Sequence, residues 1–514
     1  MALLFFASVS GLLLLLAMPG SGGLWFVAFV ALVPLIFFSL TARPKQAFLA
    51  GVLTGLIPAA GTLYWIPATL VNYGNAPWML GYAALVLLAL YMALYCGIFS
   101  VTVVAGRSLS AGALSFLPLF APLLWAALEF VRGHLFTGFP WMDLGYALSS
   151  QQLAIQSADI FGHLGLSFFI VQINCLVALR LHRFRHGAGI FRLWPQAVAL
   201  VCIFSVPVYG FFRQKNIAET MARAPALSLA VLQGNIDQSV KWSPAMEKET
   251  IGIYGTLMRQ AQQQHLPDLL LLPETALPFY SHSPSFLDFL AARPEPAPWI
   301  LTGIPRLAPY RAATNGFTLY NSAMLINPAG QTTGLYAKNH LVPFGEYVPL
   351  ASILPLPGPL VDAAGSYSPG MPEPPLSCRD GKIGVLICFE SIFPELAAGH
   401  AQRGATLLVN ITNDGWYDTT NVPDQTLAMT VMRAVETRRS IARAANTGIS
   451  AFITPTGRIL SQTPLKERAV LTGTLPLMTT TSFFTRWRQL WAALFSLTFL
   501  AALGATVSVM NNRR

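Results

Sequence analysis

Apolar residues run in nearly unbroken, helix-length stretches through roughly the first 210 positions, give way to short alternating segments, and return as one long run near the C-terminus. A helix crossing about 30 Å of hydrocarbon needs roughly 20 mainly apolar residues. On that measure the pattern predicts eight spans, near 2–18, 24–41, 47–66, 78–105, 112–131, 159–180, 194–212 and 489–509. The first lacks the basic leading region and small-residue cleavage site of a signal peptide, so it is read as an uncleaved helix. From Ala226 to about Leu475 the pattern changes. Strands are predicted at Leu227–Gln233, Leu269–Pro273, Trp299–Gly303, Phe317–Ile326, Gly334–Lys338, Ile383–Cys388, Leu407–Ile411 and Ile449–Pro455, each rich in aliphatic and β-branched residues and bounded by Gly, Pro or Asn. Helices are predicted over 244–264, 285–292, 392–403 and 424–446. Such alternation means a sheet covered by helices.

Composition sharpens this division. Charged residues make up 11% of the 514-residue chain, against about 25% in a typical soluble protein. That excludes a wholly soluble enzyme and a disordered chain. Residues 1–212 hold 8 Lys/Arg and 3 Asp/Glu, 213–483 hold 20 and 19, and 484–514 hold 4 and none. The reading is therefore a transmembrane domain of about seven helices over 1–212, a near-neutral domain over 213–483, and a C-terminal transmembrane helix with a short tail over 484–514. The net charge of +10 belongs mostly to the membrane parts, so the basic balance is no sign of a nucleic-acid partner. With the N-terminus cytoplasmic, Arg43, Lys45, Arg107, Arg180, Arg183, Arg185, Arg192, Arg513 and Arg514 fall inside, and Arg132, Arg213, Lys215, Arg486 and Arg488 outside. That bias puts both termini in the cytoplasm and domain 213–483 on the far side.

Chemically active residues stand at three predicted strand ends: Glu274 after a Leu-Leu-Leu-Leu-Pro run, Lys338 after Gly-Leu-Tyr-Ala, and Cys388 after Gly-Val-Leu-Ile. Taken singly, each has an ordinary reading as a cap or ion-paired acid, a solvated lysine, or a core cysteine. Together they form a chemically complete set. A carboxylate can take a thiol proton, the thiolate is a nucleophile, and an ammonium can face the resulting oxyanion. Cys378 precedes Arg379-Asp380-Gly381, whose Asp-Gly suggests a tight hairpin that keeps Cys378 and Cys388 apart. No metal-ligand spacing or phosphate-binding loop stands out, so no cofactor and no metal is expected.

The set resembles the nitrilase superfamily, whose members carry a Glu–Lys–Cys triad on an αββα sandwich. The local strings are similar to one membrane branch of it, the apolipoprotein N-acyltransferases: Val231-Leu-Gln-Gly-Asn235 with Lys241-Trp242, Leu272-Pro-Glu-Thr-Ala276, Tyr336 to Pro349, Ile387-Cys-Phe-Glu-Ser391, Asn413-Asp-Gly-Trp-Tyr417, and Gly138-Phe-Pro-Trp141 in the membrane part. The fold class so implied is a polytopic α-helical membrane protein with an inserted nitrilase-like αββα sandwich. The resemblance implies Glu274 as general base, Lys338 as oxyanion and positioning residue, and Cys388 as the acyl-carrying nucleophile. Trp242, Glu346, Phe389 and Glu390 match supporting or substrate-binding positions. Phe389 departs from the tyrosine common beside the nucleophile, so a phenol hydroxyl is not essential there.

The implied enzyme is an acyltransferase of the inner membrane, working in ping-pong fashion through a Cys thioester on the periplasmic side. It takes a fatty acyl chain from a phospholipid and passes it to the N-terminal amine of a diacylglyceryl-cysteine lipoprotein. The alternative is a membrane-tethered amidase or nitrile hydrolase that uses water as acceptor. Two further features each admit two readings. Glu129 and Arg132, three apart on one helix face, are read first as a structural pair and second as a lipid-headgroup contact. Loop 349–370, apolar yet rich in Pro and Gly, is read either as core packing or as a lipid-touching flap.

Overall fold

The computed structural model describes residues 1–74, 76–107, 113–186, 193–264, 266–309, 316–347, 367–417 and 420–511. The described chain forms two compact units. One comprises Met1–Pro67, Met79–Lys215 and Arg486–Arg514; the other comprises Ala68–Trp78 and Asn216–Thr485.

The first unit is helical. Among the described residues, five helices are long and apolar enough to cross a membrane: Pro44–Leu63, Trp78–Gly106, Leu114–Arg132, Ala158–Arg185 and Trp194–Arg223. Ala2–Ala17 and Trp25–Ser39 are apolar but shorter, so the expected count of eight full spans is not met. The second of these is broken at Leu32, where Pro34 sits in the first turn of a new helix. The C-terminal helix Phe483–Asn511 is interrupted by non-helical Trp487. Small residues let these helices approach closely. A Cβ on Gly51 would lie 2.3 Å from the Cys96 carbonyl oxygen, and one on Gly55 would lie 2.8 Å from Ala93 Cα.

Glu129 and Arg132 attract each other electrostatically, but each is anchored by other partners. Arg132 pairs with Asp143, which also meets His163 at 2.9 Å. Glu129 accepts from Trp125 Nε1 and from the Leu144 amide, each at 2.8 Å. Both side chains thus anchor the turn that follows their helix. The i,i+3 spacing gave them a common face but did not decide their partners.

The second unit is an αββα sandwich. Its strands are β1 Ala226–Gln233, β2 Leu269–Leu271, β3 Trp299–Pro309, β4 Phe317–Ile326, β5 Thr332–Ala337, β6 Leu376–Cys378, β7 Gly381–Ile387, β8 Leu407–Thr412, β9 Ser440–Ala445, β10 Ala451–Ile453, β11 Ile459–Gln462 and β12 Ala469–Pro476. They form two six-stranded sheets, ordered β12-β1-β2-β3-β4-β5 and β11-β10-β9-β8-β7-β6. Period-two alternation decides which side chain enters which layer. Along β1, Leu227, Leu229 and Val231 join the core shared with the second sheet, whereas Ala230 and Leu232 pack with residues of helix Pro244–Gln264. Helices Pro394–Gln402 and Val422–Thr437 pack against strands of the second sheet. Burying each large aliphatic side chain of this kind contributes roughly 1.5–3 kcal/mol.

Two local expectations need correction. The helix expected over 424–446 ends at Thr437, because Arg438 takes a left-handed conformation (φ 52°) that stops it. The Ala- and Arg-rich segment Ser440–Ala445 then runs as a fully buried strand between β8 and β10. Its helix-favouring composition is overridden by the central position in the sheet. The β6–β7 hairpin turns on Arg379-Asp380 rather than Asp380-Gly381; Arg379 has φ 50° and Gly381 already pairs with Cys378. Cys378 and Cys388 are both free.

Candidate active site

The sandwich brings the three strand-end residues together from different sheets. Glu274 follows β2 and Lys338 follows β5, both in the first sheet. Cys388 follows β7 in the second. Two tight turns make this possible. Thr275 has φ 48° just after Glu274, and it passes so near β3 that a Cβ on Gly303 would lie 2.2 Å from the Thr275 nitrogen. Only glycine admits that approach. Cys388 itself has φ 52°, a strained value for a non-glycine residue of the sort that gathers at functional turns. The short turn Cys388–Ile392 starts there, and Ser391 Oγ donates to the Cys388 carbonyl at 3.0 Å.

Lys338 is fully enclosed and lies between two carboxylates. Its Nζ is 2.9 Å from Glu346 and 3.5 Å from Glu274 Oε1. Asn321 on β4 donates to Glu274 Oε1 at 2.8 Å and to Glu346 Oε1 at 2.9 Å, fixing both acids about one lysine. The second oxygen of Glu274 accepts from the Asn413 amide at 3.0 Å, and that of Glu346 from the Val342 amide at 2.8 Å. Burial acts against the Lys338 ammonium, but Glu346 and Glu274 outweigh it and hold its pKa above the usual lysine value. Lys338 is therefore a permanent cation. For Cys388, burial and then the Glu274 charge push the thiol up to about 12, with Lys338 and a hydrogen bond from Thr412 pulling the other way. Cys388 therefore rests as a protonated thiol, and to act as a nucleophile it would need a base.

Glu390 is buried just after Cys388 and ties the sheets together. Its Oε2 accepts from the Ile387 amide at 2.7 Å; its Oε1 accepts from the amides of Asn339 at 2.6 Å and His340 at 3.1 Å, and Tyr336 Oη donates to it at 2.9 Å. Burial pushes its carboxyl up to about 7 against those donors. Phe389 packs edge-on against Phe393 with ring centres 5.1 Å apart, beside the His340 ring. Glu346, Phe389 and Glu390 thus lie close around the three strand-end residues. Trp242 is 36% exposed on its turn. Its neighbour Lys241 is the buried one, with Nζ 3.3 Å from the Glu274 carbonyl oxygen. Burial pushes Lys241 down to about 8, with Glu274 opposing.

Reading by residue type missed Lys241, Asn321, Asn413 and Tyr336. Lys241, Tyr336 and Asn413 stand in the motif strings but received no role. Asn321 offered only the signal of a polar residue inside an otherwise apolar strand. Loop 349–370 lies outside the described residues as far as position 366.

Comparison with known proteins follows the same division of the chain. A family model described as the apolipoprotein N-acyltransferase N-terminal domain matches residues 10–176, and one described as carbon-nitrogen hydrolase matches residues 228–483. The apolipoprotein N-acyltransferase of Geobacter metallireducens is 39% identical, covering 97% of this chain and 94% of that protein. The one from Pasteurella multocida is 32% identical, covering 87% and 85%.

Proposed function

Because this chain belongs to the apolipoprotein N-acyltransferase family, we propose that Cys388 carries a fatty acyl group as a thioester between a phospholipid donor and the N-terminal amine of a diacylglyceryl-cysteine lipoprotein. The chain is a multi-pass membrane acyltransferase of lipoprotein N-acylation with a nitrilase-like sandwich. The proposed active domain, 213–483, lies between membrane parts 1–212 and 484–514.

In the first half-reaction the Cys388 sulfur attacks the ester carbonyl while Glu274 takes the thiol proton. The oxyanion faces the Lys338 ammonium and the backbone N–H after the cysteine. Collapse breaks the ester C–O bond, Glu274 returns its proton to the leaving alkoxide, and a lysophospholipid departs. In the second half-reaction the lipoprotein amine attacks the thioester, Glu274 accepts the amine proton, and the sulfur leaves and is reprotonated. Glu346 keeps Lys338 charged and in place, and Glu390 fixes the chain on either side of the nucleophile.

The observation that carries this reading is the buried Lys338 ammonium held 2.9 Å from Glu346 and 3.5 Å from Glu274, electrostatically coupled to the Cys388 sulfur. The membrane part supplies the reason for transfer rather than hydrolysis of small amides. A 16-carbon chain buries roughly 15 methylenes at about 0.8 kcal/mol each, on the order of 12 kcal/mol, so donor and acceptor stay in the bilayer and the thiol must meet them there. Intact mass of the full chain after exposure to phospholipid vesicles is the test. A fatty-acyl adduct on Cys388 that discharges onto a lipoprotein amine is the expected result. An adduct that discharges only to water would favour the tethered hydrolase.

Topology gives a separate prediction. We propose that the chain lies in the inner membrane, where its family's proposed substrates would be met, and the Lys/Arg bias supports both termini in the cytoplasm and the sandwich in the periplasm. Cysteine labelling in intact cells is expected to report the cytoplasm at residues 187 and 512 and the periplasm at residue 300. A cytoplasmic result at 300 would sink both the orientation and the lipoprotein acceptor.

Lys241 gives another. Burial pushes its pKa in the folded chain down to about 8, below the ordinary lysine value of 10.5, so between these the unfolded chain holds a proton that the folded chain lacks. Stability contributed by this group must rise with pH through that window, by about 1.4 kcal/mol per unit. In Lys241→Met that rise should vanish, seen as a smaller gain in Tm from about pH 8 to about pH 10 than the parent shows. The same variant loses the contact to the Glu274 carbonyl and should transfer acyl groups about tenfold more slowly. Identical alkaline stability profiles would mean that Lys241 is charged throughout.

A further inference from the structure

Segment Ala68–Trp78 lies in the chain between two helices of spanning length, Pro44–Leu63 and Trp78–Gly106, yet it belongs to the sandwich unit. It meets that unit at a particular turn. Tyr73 Oη donates to the Gly415 carbonyl at 2.8 Å, Thr69 Oγ1 donates to the Trp416 carbonyl at 3.0 Å, and the Tyr73 ring stands edge-on to Trp416 with centres 5.3 Å apart. These carbonyls belong to the turn Asp414–Tyr417 that follows β8.

The same turn holds Glu274. The Asn413 amide donates to Glu274 Oε2 at 3.0 Å. Asn413 Oδ1 in turn accepts from the Gly415 amide at 3.3 Å and from Asn446 Nδ2 at 3.0 Å. Gly415 therefore offers its carbonyl to Tyr73 and its amide to the residue that grips the carboxylate. Asp414, beneath, is fixed by Arg443 at 2.9 Å and Thr412 at 3.0 Å, so the turn is rigid on its sandwich side. On the side of segment 68–78 its carbonyls meet two hydroxyls.

We propose that Tyr73 and Thr69 are positioning residues that hold the 413–416 turn and, through the Asn413 amide, keep the Glu274 carboxylate aligned with Cys388. The segment is covalently continuous with two membrane helices, so the alignment of the base depends on chain that those helices carry. This rests on the proposed chemistry of Cys388 and adds to it two residues that touch neither substrate nor reacting atoms.

The test uses the full chain in phosphatidylethanolamine–phosphatidylglycerol vesicles and compares Tyr73→Phe and Thr69→Val with the parent. Tyr73→Phe keeps the ring against Trp416 and removes only the hydroxyl, so folding is retained; Tm checks this. Single-turnover acylation of Cys388 is followed from about pH 6 to about pH 10, with vesicle phospholipid and with the soluble ester p-nitrophenyl butyrate. Lys241, Lys338, Glu346, Tyr367, Asp414, Tyr417 and Arg443, ionisable groups that face Glu274 or the turn, are the same in every variant. Each variant is expected to acylate about fivefold more slowly near neutral pH with both donors, with KM unchanged. The deficit should close at alkaline pH, where hydroxide replaces a misaligned base. A loss confined to the vesicle donor or to its KM would make the segment a lipid-docking element and overturn the proposal. A deficit equal at every pH, or parental rates throughout, would overturn it as well. A parent chain that forms no thioester with either donor would refute the chemistry of Cys388 itself and both readings with it.

Discussion

Replacing Cys388 by serine or alanine is expected to abolish acyl transfer while leaving the sandwich folded and the chain in its membrane. The thiol is already pushed up to about 12 by burial and by Glu274. A serine hydroxyl starts several units higher and gives no useful nucleophile under the same base. Cys388 is 9% exposed and packs against its neighbours in the inter-sheet core, so serine fills nearly the same volume. Alanine leaves a gap of about one sulfur, worth on the order of 1 kcal/mol. The measurement is a paired one: turnover with a lipoprotein acceptor, and Tm in detergent. Activity persisting in either variant would remove Cys388 from the mechanism.

Glu274→Gln is expected to fail before the thioester forms, with a rate loss of about 10²–10⁴ near neutral pH. An amide cannot accept the thiol proton, and with a thiol at about 12 only about one molecule in 10⁵ is thiolate at pH 7. The fold should survive, because Lys338 keeps Glu346 at 2.9 Å and is not left as an unpaired buried charge. The sign of the pH effect follows. Below its pKa the thiolate fraction grows about tenfold per unit, so the variant's acylation rate should climb steeply with pH while the parent's is much flatter. Loss of the Glu274 charge also lowers the thiol pKa, which brings the variant's plateau to lower pH. An acyl adduct that accumulates at the parental rate in Glu274→Gln at pH 7 would show that another group is the base.

That Glu274, Lys338 and Cys388 would come together was legible from sequence because each follows a run of apolar strand. Leu269–Leu271, Gly334–Ala337 and Val385–Ile387 are unambiguous β segments, and a polar residue just past such an end is held by the strand that precedes it. What periodicity cannot show is partnership at long range. Asn321 stands 47 residues from Glu274 and 25 from Glu346 and binds both. Lys241 adjoins an exposed tryptophan, and nothing local says that the lysine is the one turned inward. Segment Ser440–Ala445 reads as the end of a helix, since a strand of alanine and arginine exists only where neighbours on both sides demand it. Glu129 and Arg132 share one helix face, yet besides Trp125 their partners come from residues 141–144, beyond the reach of an i,i+3 argument. The expected spans near 2–18 and 24–41 form shorter apolar helices, the second cut at Pro34, because hydropathy sums over a break that the backbone cannot.

Glu390 grips the Ile387 amide at the end of one sheet and the Asn339 and His340 amides beyond the end of the other, while the Asn413 amide reaches back across to Glu274. The two sheets are stitched at the very seam where the reacting groups meet. A seam so fastened cannot gape to admit a bulky acyl chain without also pulling the nucleophile away from its base and its lysine. On the proposed chemistry, traffic of two large lipids through one thiol would therefore fall to the chain beyond the strand ends, with the sandwich serving as an anvil and the parts that change place lying around it.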